Sequence, residues 1–571
     1  MKNYISFLFL LFSTASYAQS NNPEVPPHNW QLMDWQKDGY PGISLEKAYS
    51  ELLANKKPLK KIVVAIIDSG LDDTHPDLEG MVWTNKMEFQ GTNIIDNQNG
   101  FVDELPAGNN IDDDQNGYVD DFHGWNFVGS LKEETLEEIR EYVRLKDKFE
   151  NNADSVALKT DPQYGYWKQI VAKKNRRIYF WEGRGIEKSI NAVTILQNFW
   201  SKQLAKDSVY VLDIRDRQLD TATDSSVIKA QSFFARIING NAEITDSTTL
   251  TEITNNMKRA KQEVTERNKN ELFVASTIIE KNDAAYFRKK ELGDDPYVIT
   301  TPNYGSSNIF PDHYHGTGCA GIIAALRNNS IGCNGITNSV EIMPVRIYPV
   351  YLSDEHDKDV ANAIRYAVDN GAQVINMSFG KYISPLKSWV DDAMKYAEQK
   401  GVLLIAAAGN DATNTDSLTH YPSTLNSDKT IGPNLIKVGA STYDSTLVAN
   451  FSNYGSKTVH VFAPGDSIYT TLIDKKYGSS SGTSYATPVV AGLSALIWSY
   501  YPEFNYKQIR YCIEQSAAPI ETMVTKPRTK KKVPFSSLCT TGGIVNAYQA
   551  LIIAGQINKP SWKRKHKNEI L

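Results

Sequence analysis

Lys61-Ile62-Val63-Val64-Ala65-Ile66-Ile67-Asp68-Ser69-Gly70 is an apolar, largely β-branched run closed by an acid, a serine and a glycine. A run of this kind shows no polar alternation, so both of its faces must be buried. That predicts a central strand of a parallel sheet covered by helices on each side. The strand ends at Asp68, which places a carboxylate at the carboxyl edge of the sheet, where open α/β folds build their sites.

Two further stretches point to the same edge. His313-Tyr314-His315-Gly316-Thr317-Gly318 leads into an apolar helix running from Cys319 to Leu326, and its glycines permit close approach of another backbone. Gly482-Thr483-Ser484-Tyr485-Ala486-Thr487-Pro488 places Ser484 at the mouth of a helix continuing through Val489, Val490, Leu493 and Leu496. The first N–H groups of a helix lack intrahelical partners and carry partial positive charge, so an oxyanion forming beside Ser484 would meet donors already in place.

Asp-Ser-Gly at Asp68, His-Gly-Thr at His315 and Gly-Thr-Ser-Tyr-Ala-Thr-Pro at Ser484, in that chain order, resemble the three signatures of the subtilisin-like serine peptidases. Ala406-Ala407-Ala408-Gly409-Asn410 and Asn376-Met377-Ser378-Phe379-Gly380 resemble two more. The resemblance covers roughly Asn29 to Tyr118 and Leu292 to Ala554. It implies a three-layer α/β domain with a mainly parallel central sheet flanked by helices. It also implies a serine endopeptidase that hydrolyses protein or peptide substrates through an acyl-enzyme and needs no cofactor for its chemistry. In that family's terms Ser484 attacks and His315 carries the proton from it to the departing amine, while Asp68 holds the imidazole in the right tautomer. Asn410 and the Ser484 N–H hold the oxyanion, and Ser378, Phe379, Gly380, Ala408 and Gly409 bind substrate. The chain departs from the family pattern at Tyr485, often a methionine, and at Gly318 and Val489, commonly histidines. Two other readings stay open at this point: a non-catalytic binding protein on the same scaffold, and a metal-dependent hydrolase built on Asp312, His313 and His315.

With 571 residues, a 41% hydrophobic fraction and a formal net charge of -5, the chain can support one large domain plus an inserted one. Acids and bases nearly balance, which argues against a nucleic-acid partner, and the basic runs Lys526 to Lys532 and Lys563 to Lys567 read as a solvated loop and tail. Lys2, the apolar run Ile5 to Phe12 and the small residues around Ala18 read as a signal peptide over 1–18, cleaved after Ala18, for export to the periplasm or medium. The apolar run is too short to span a bilayer, and no integral membrane anchor is expected. We expect an amino-terminal arm over 19–58, catalytic-domain segments over 59–130 and 293–556, and a basic tail over 557–571. Between the two segments, residues 131–292 read as a helical insertion, since Asp68 and His315 stand about 250 residues apart, far more than a minimal domain needs. Leu136, Ile139 and Val143 recur at helical spacing, and Trp167, Ile170, Trp181, Leu196, Phe199 and Trp200 supply its expected core. It reads as either a packed decoration or a substrate-selecting lid.

Asp112-Asp113-Asp114-Gln115-Asn116-Gly117-Tyr118-Val119-Asp120 has oxygen donors at alternate positions and a glycine at the sixth, as a calcium loop requires. Asp112, Asp114, Asn116, Tyr118 and Asp120 are the expected ligands of a structural calcium, with a metal-free acidic turn as the alternative. Asn93 to Glu104 repeats much of the pattern, with Ile95 in place of the first ligand. Of the four cysteines, Cys319 reads as a small buried apolar residue. Cys512 and Cys539 are expected to pair as a disulfide.

Overall fold

Strand β1, Ile62–Asp68, sorts its side chains between two cores. Ile62, Val64 and Ile66 pack with Ile322, Ile323, Val489 and Val490, whereas Ala65 and Ile67 pack with Val360, Ile364 and Ala393. Each large aliphatic side chain so buried contributes about 1.5–3 kcal/mol. Demand from both sides explains the unbroken apolar run. The computed structural model describes residues 25–89, 109–150, 159–215, 217, 219, 223–238, 244–245, 247–299, 304–349, 353–425 and 432–559. The expected signal peptide, the repeat Asn93 to Glu104 and the run Lys563 to Lys567 lie outside the described residues.

Around β1 stand β2 (Trp125–Asn126), β3 (Val340–Arg346), β4 (Val374–Met377), β5 (Leu403–Ala407), β6 (Leu435–Ser441) and β7 (Val461–Pro464). The sheet runs β2-β3-β1-β4-β5-β6-β7, and every pairing is parallel. Helices His315–Ala324 and Thr483–Tyr500 pack on one face, and Asp357–Asp369 and Lys387–Gln399 on the other. The three-layer α/β class read from the sequence is therefore present. β1 has β3 on one side and β4 on the other, so the chain order reverses at its carboxyl end and opens a crevice beside Asp68.

Residues of the amino-terminal arm enter the first core: Trp30, Ile43, Leu45, Ala48 and Leu53 are all buried there. The Trp30 indole N–H donates to the carbonyls of Asp466 and Ser467 at 3.2 and 3.3 Å. Glu138–Ala284 forms a compact unit of its own. Its helices include Tyr164–Trp181, Arg184–Leu204, Ser225–Ile238 and Leu250–Arg267. Val193, Leu196 and Trp200 meet Phe234, Ile253, Met257 and Val264 in a separate apolar core. Thr249 and Glu252 close the start of the Leu250–Arg267 helix with a reciprocal capping box. No helix among the described residues is long and apolar enough to cross a membrane.

The expected disulfide is absent, and Cys512 and Cys539 are both free and buried. Cys512 packs beside Ile509 and Ile513 in the first core, whereas Cys539 belongs to a different cluster with Phe535 and Leu538. Each sulfur fills apolar space in its own cluster, a role that needs no partner.

Where the chain re-enters the larger unit, Arg288 donates to both Asp359 carboxylate oxygens at 2.8 and 2.6 Å and to Asp294 at 2.6 Å. Lys358 also reaches Asp294, and the Tyr304 hydroxyl donates to Asp359 at 2.8 Å. Arg288 and Asp359 are 1% and 0% exposed. Removing one partner would strand the other charge in the interior. We therefore expect Arg288→Met to lose about 3–5 kcal/mol of stability by urea unfolding, with part of the loss recovered when Asp359→Asn is added.

Candidate active site

Asp68 ends β1 almost fully buried, and its carboxylate faces the first residue of the His315–Ala324 helix. His315 Nδ1 lies 2.8 and 3.0 Å from the two carboxylate oxygens, one of which also accepts from the Ser69 N–H at 2.7 Å. A carboxylate acts only as an acceptor, so the ring proton sits on Nδ1 and leaves Nε2 as the basic nitrogen. Burial alone would lower the His315 pKa, but the Asp68 charge and hydrogen bond outweigh it and the pKa is raised. Gly316 makes the approach feasible, because a Cβ there would fall 2.1 Å from the Gly70 carbonyl oxygen. Ser69 stitches the two segments: its hydroxyl donates to the His313 carbonyl at 3.2 Å and accepts from the Gly316 N–H at 3.1 Å.

Ser484 is the second residue of the Thr483–Tyr500 helix, half-buried at its open end. Its carbonyl accepts from the Ser378 hydroxyl at 2.7 Å, and that hydroxyl accepts from Asn376 at 2.9 Å. Thr483 ties the helix start to the end of β5: its hydroxyl accepts from the Gly409 N–H at 3.1 Å and donates to Asn410 Oδ1 at 3.0 Å. The Thr483 N–H donates to the same Asn410 oxygen at 2.9 Å. With Oδ1 occupied, the Asn410 amide nitrogen keeps its two protons for a ligand, and it has no hydrogen-bond partner among the described residues.

Asp68, His315, Ser484 and Asn410 line one cleft of about 300 Å³. Ser378, Phe379, Gly380 and Gly409 line it too, but Ala408 does not; Ala407 takes its place. The pleat explains the exchange, since Ala408 turns into a core cluster with Leu447, Val448 and Tyr454. Arg346, Tyr348, Glu355 and His420, which carry no motif, complete the walls. Arg346 braces the loop before His315 by donating to the Phe310 carbonyl and to Asp312, at 2.8 and 2.7 Å.

That ion pair also removes the metal-hydrolase reading. Asp312 is held by Arg346, His313 Nδ1 accepts from the His315 N–H at 3.3 Å, and His315 turns to Asp68. Among the described residues these three do not converge as a ligand set. Burial and the neighbouring His315 push the His313 pKa down to about 4, so it is neutral near pH 7.

Gly318 and Tyr485, two departures from the family pattern, are neighbours. A Cβ at Gly318 would stand 3.3 Å from the Tyr485 ring, so the ring occupies room that a larger side chain at 318 would take. The same ring meets His315 edge-on at 5.5 Å between centroids.

A family model described as the subtilase family matches residues 59–542. The chain belongs to the subtilase family. Among known subtilases it is 41% identical over 207 residues to the thermophilic serine proteinase of Bacillus sp. (strain AK1), covering 36% of this chain and 47% of that protein. It is 39% identical over 237 residues to thermitase of Thermoactinomyces vulgaris, covering 42% and 74% of the two. It is 39% identical over 206 residues to subtilisin E of Bacillus subtilis (strain 168), covering 36% and 50%. The chain thus spans about half the length of the first and third of these subtilases, at 47% and 50%.

The acidic loop is held by its own hydrogen bonds. Asp112 accepts from the N–H groups of Asn116 and Gly117, and Asp120 from those of Asn109 and Asn110, which shape its turns. Tyr118 buries its ring between Trp125 and Tyr366, so the ligand this position can offer is its carbonyl oxygen, and the Asn116 amide donates to Asp114 and Asp121. The carboxylates that converge are Glu88, Asp114 and Asp121, with ligand atoms within 4.8 Å of one another. Burial pushes the pKa of Glu88 and of Asp121 up to about 7. Such an all-oxygen donor set fits a hard cation such as calcium. The twelve-residue loop pattern includes neither Glu88 nor Asp121 as a ligand.

The His315 geometry carries its own test. In an NMR titration of the histidine rings, His315 should titrate above the ordinary value of about 6.5. In Asp68→Asn, where burial acts without the opposing charge, it should titrate below it. An unmoved midpoint would contradict the coupling.

Proposed function

We propose that this chain is an exported serine endopeptidase. The observation that carries the reading is the His315–Asp68 pair opening onto the same cleft as Ser484 and the free amide of Asn410. Serine is a poor nucleophile at neutral pH, so His315 Nε2 takes its proton as the hydroxyl attacks a peptide carbonyl. Asp68 stabilises the imidazolium formed in that step without itself being protonated. The negative charge on the former carbonyl oxygen is held by Asn410 and by the Ser484 N–H at the helix mouth. His315 then gives its proton to the departing amine, and water, activated by the same imidazole, releases the acyl group.

The backbones of Ser378 to Gly380 and of Gly409 flank this path on two sides and suit an extended peptide. Residues 1–18 support export by their charge, apolar run and small residues at the expected cleavage point. Glu88, Asp114 and Asp121 would hold a structural calcium, which neutralises buried charge and takes no part in the chemistry.

An organophosphonate should label Ser484, and the label should be lost in Ser484→Ala. A binding protein on this scaffold has no need of an activated serine and would not be labelled. Asn410→Ala should lower kcat by about a hundredfold to a thousandfold, the size found when a subtilisin loses such a donor. For the cation, adding calcium to EGTA-treated protein should raise Tm, and Asp121→Asn should abolish the increase. An unchanged Tm would argue against the site.

A further inference from the structure

His420 lines the cleft, 5% exposed, and closes the space between the two glycine edges. A Cβ on Gly409 would lie 2.8 Å from His420 Nε2, and one on Gly380 2.3 Å from Cε1. Gly409 has φ +102°, so glycine is required there on backbone grounds as well. Behind the ring lies Lys437 of β6, 2% exposed, with Nζ at 2.7 Å from the His420 carbonyl, 2.9 Å from the Pro422 carbonyl and 3.3 Å from His420 Nδ1. An ammonium has three protons, and here it meets three acceptors, all uncharged. With Lys437 charged, Nδ1 accepts and the ring proton sits on Nε2, beside Gly409. The ring also hydrogen-bonds the Gly380 backbone.

The ring faces the cleft, and the charges around it select the kind of group it would receive there. Lys437 has been taken out of water without a carboxylate to balance it. Burial draws its pKa down to about 7, and burial together with Lys437 lowers that of His420, against a smaller opposite pull from the Gly380 backbone. The other acids lining the cleft have partners of their own: Asp411 accepts from the Tyr382 hydroxyl at 2.9 Å, Glu355 from the Tyr348 hydroxyl at 2.7 Å and Asp354 from the Glu137 N–H at 2.8 Å, while Asp312 pairs with Arg346 and Asp68 with His315. His460 gives Nδ1 to the Lys437 N–H at 2.8 Å and adds no negative charge.

On the peptidase reading, on which this inference rests, Asn410 holds the carbonyl oxygen under attack. The side chain of the residue bearing that carbonyl then lies against the adjoining Gly409 and the facing Gly380, and points at His420. We propose that His420, backed by Lys437, is a specificity-determining residue that receives the carboxylate of a glutamate or aspartate, so that the enzyme cleaves after acidic residues. Nε2–H donates to the substrate carboxylate, and the Lys437 charge behind the ring strengthens that bond and compensates the buried anion.

Chromogenic tetrapeptides differing only in their last residue, Glu, Gln, Leu or Lys, test this. The wild type should favour Glu over Gln in kcat/KM by about tenfold to a hundredfold, the size expected of a hydrogen bond to a charged group. His420→Leu and Lys437→Met should each bring that ratio near unity; it is read within each variant, so lower yields of folded protein cancel. If neither variant folds, the wild-type His420 ring signals should shift in an adduct of Ser484 with a glutamyl phosphonate and not with a leucyl one. Equal rates on Glu, Gln and Leu, a ratio that survives both substitutions, or His420 signals indifferent to the adduct would each overturn the proposal and leave the peptidase reading standing. Failure to cleave any substrate together with failure of Ser484 to react would overturn that reading and this proposal with it.

Discussion

The approach of one helix to one strand end governs the rest of the site. A single added carbon on Gly316 would collide with the Gly70 carbonyl, and only without it can the His315 ring reach the Asp68 carboxylate. The sheet supplies the opposite constraint. β1 is buried on both faces and paired on both edges, so Asp68 has little freedom to follow a displaced histidine. The hydrogen bond is therefore set by backbone contact and does not depend on side-chain adjustment. That favours a rigid orientation over an adaptable one.

Much of this was legible in the sequence because it rests on short-range rules. The run Ile62 to Ile67 could only be an interior strand, and Asp68, His315 and Ser484 each sit where a strand or helix begins or ends. Contacts between distant segments were harder to read. Glu88 reaches the acidic loop from outside the pattern that defined it, and Ala407 and Ala408 exchange places through the pleat alone. Lys437 stands between Ile436 and Val438 in a largely apolar strand, and only the fold shows that its ammonium is satisfied by the carbonyls of His420 and Pro422. The disulfide failed for a similar reason, since helical position and exported context do not reveal that the two sulfurs belong to separate clusters.

Tyr485 and Gly318 share one contact beside the histidine. The ring fills the space next to Gly318 and gives His315 an aromatic edge to rest on, so a larger side chain at 318 would press on the ring that flanks the imidazole. Close-packed interiors tolerate added volume poorly.

Thr483 has a consequence of a mechanical kind. Through its hydroxyl and its N–H it binds the Gly409–Asn410 corner to the first turn of the helix that carries Ser484. The proposed attacking oxygen and the proposed anion-holding amide are thus referenced to one another and, through β5, to the sheet. A helix sliding against the strands would have to break these bonds before it widened the gap, as a door pinned at its hinge and its latch cannot shift in its frame.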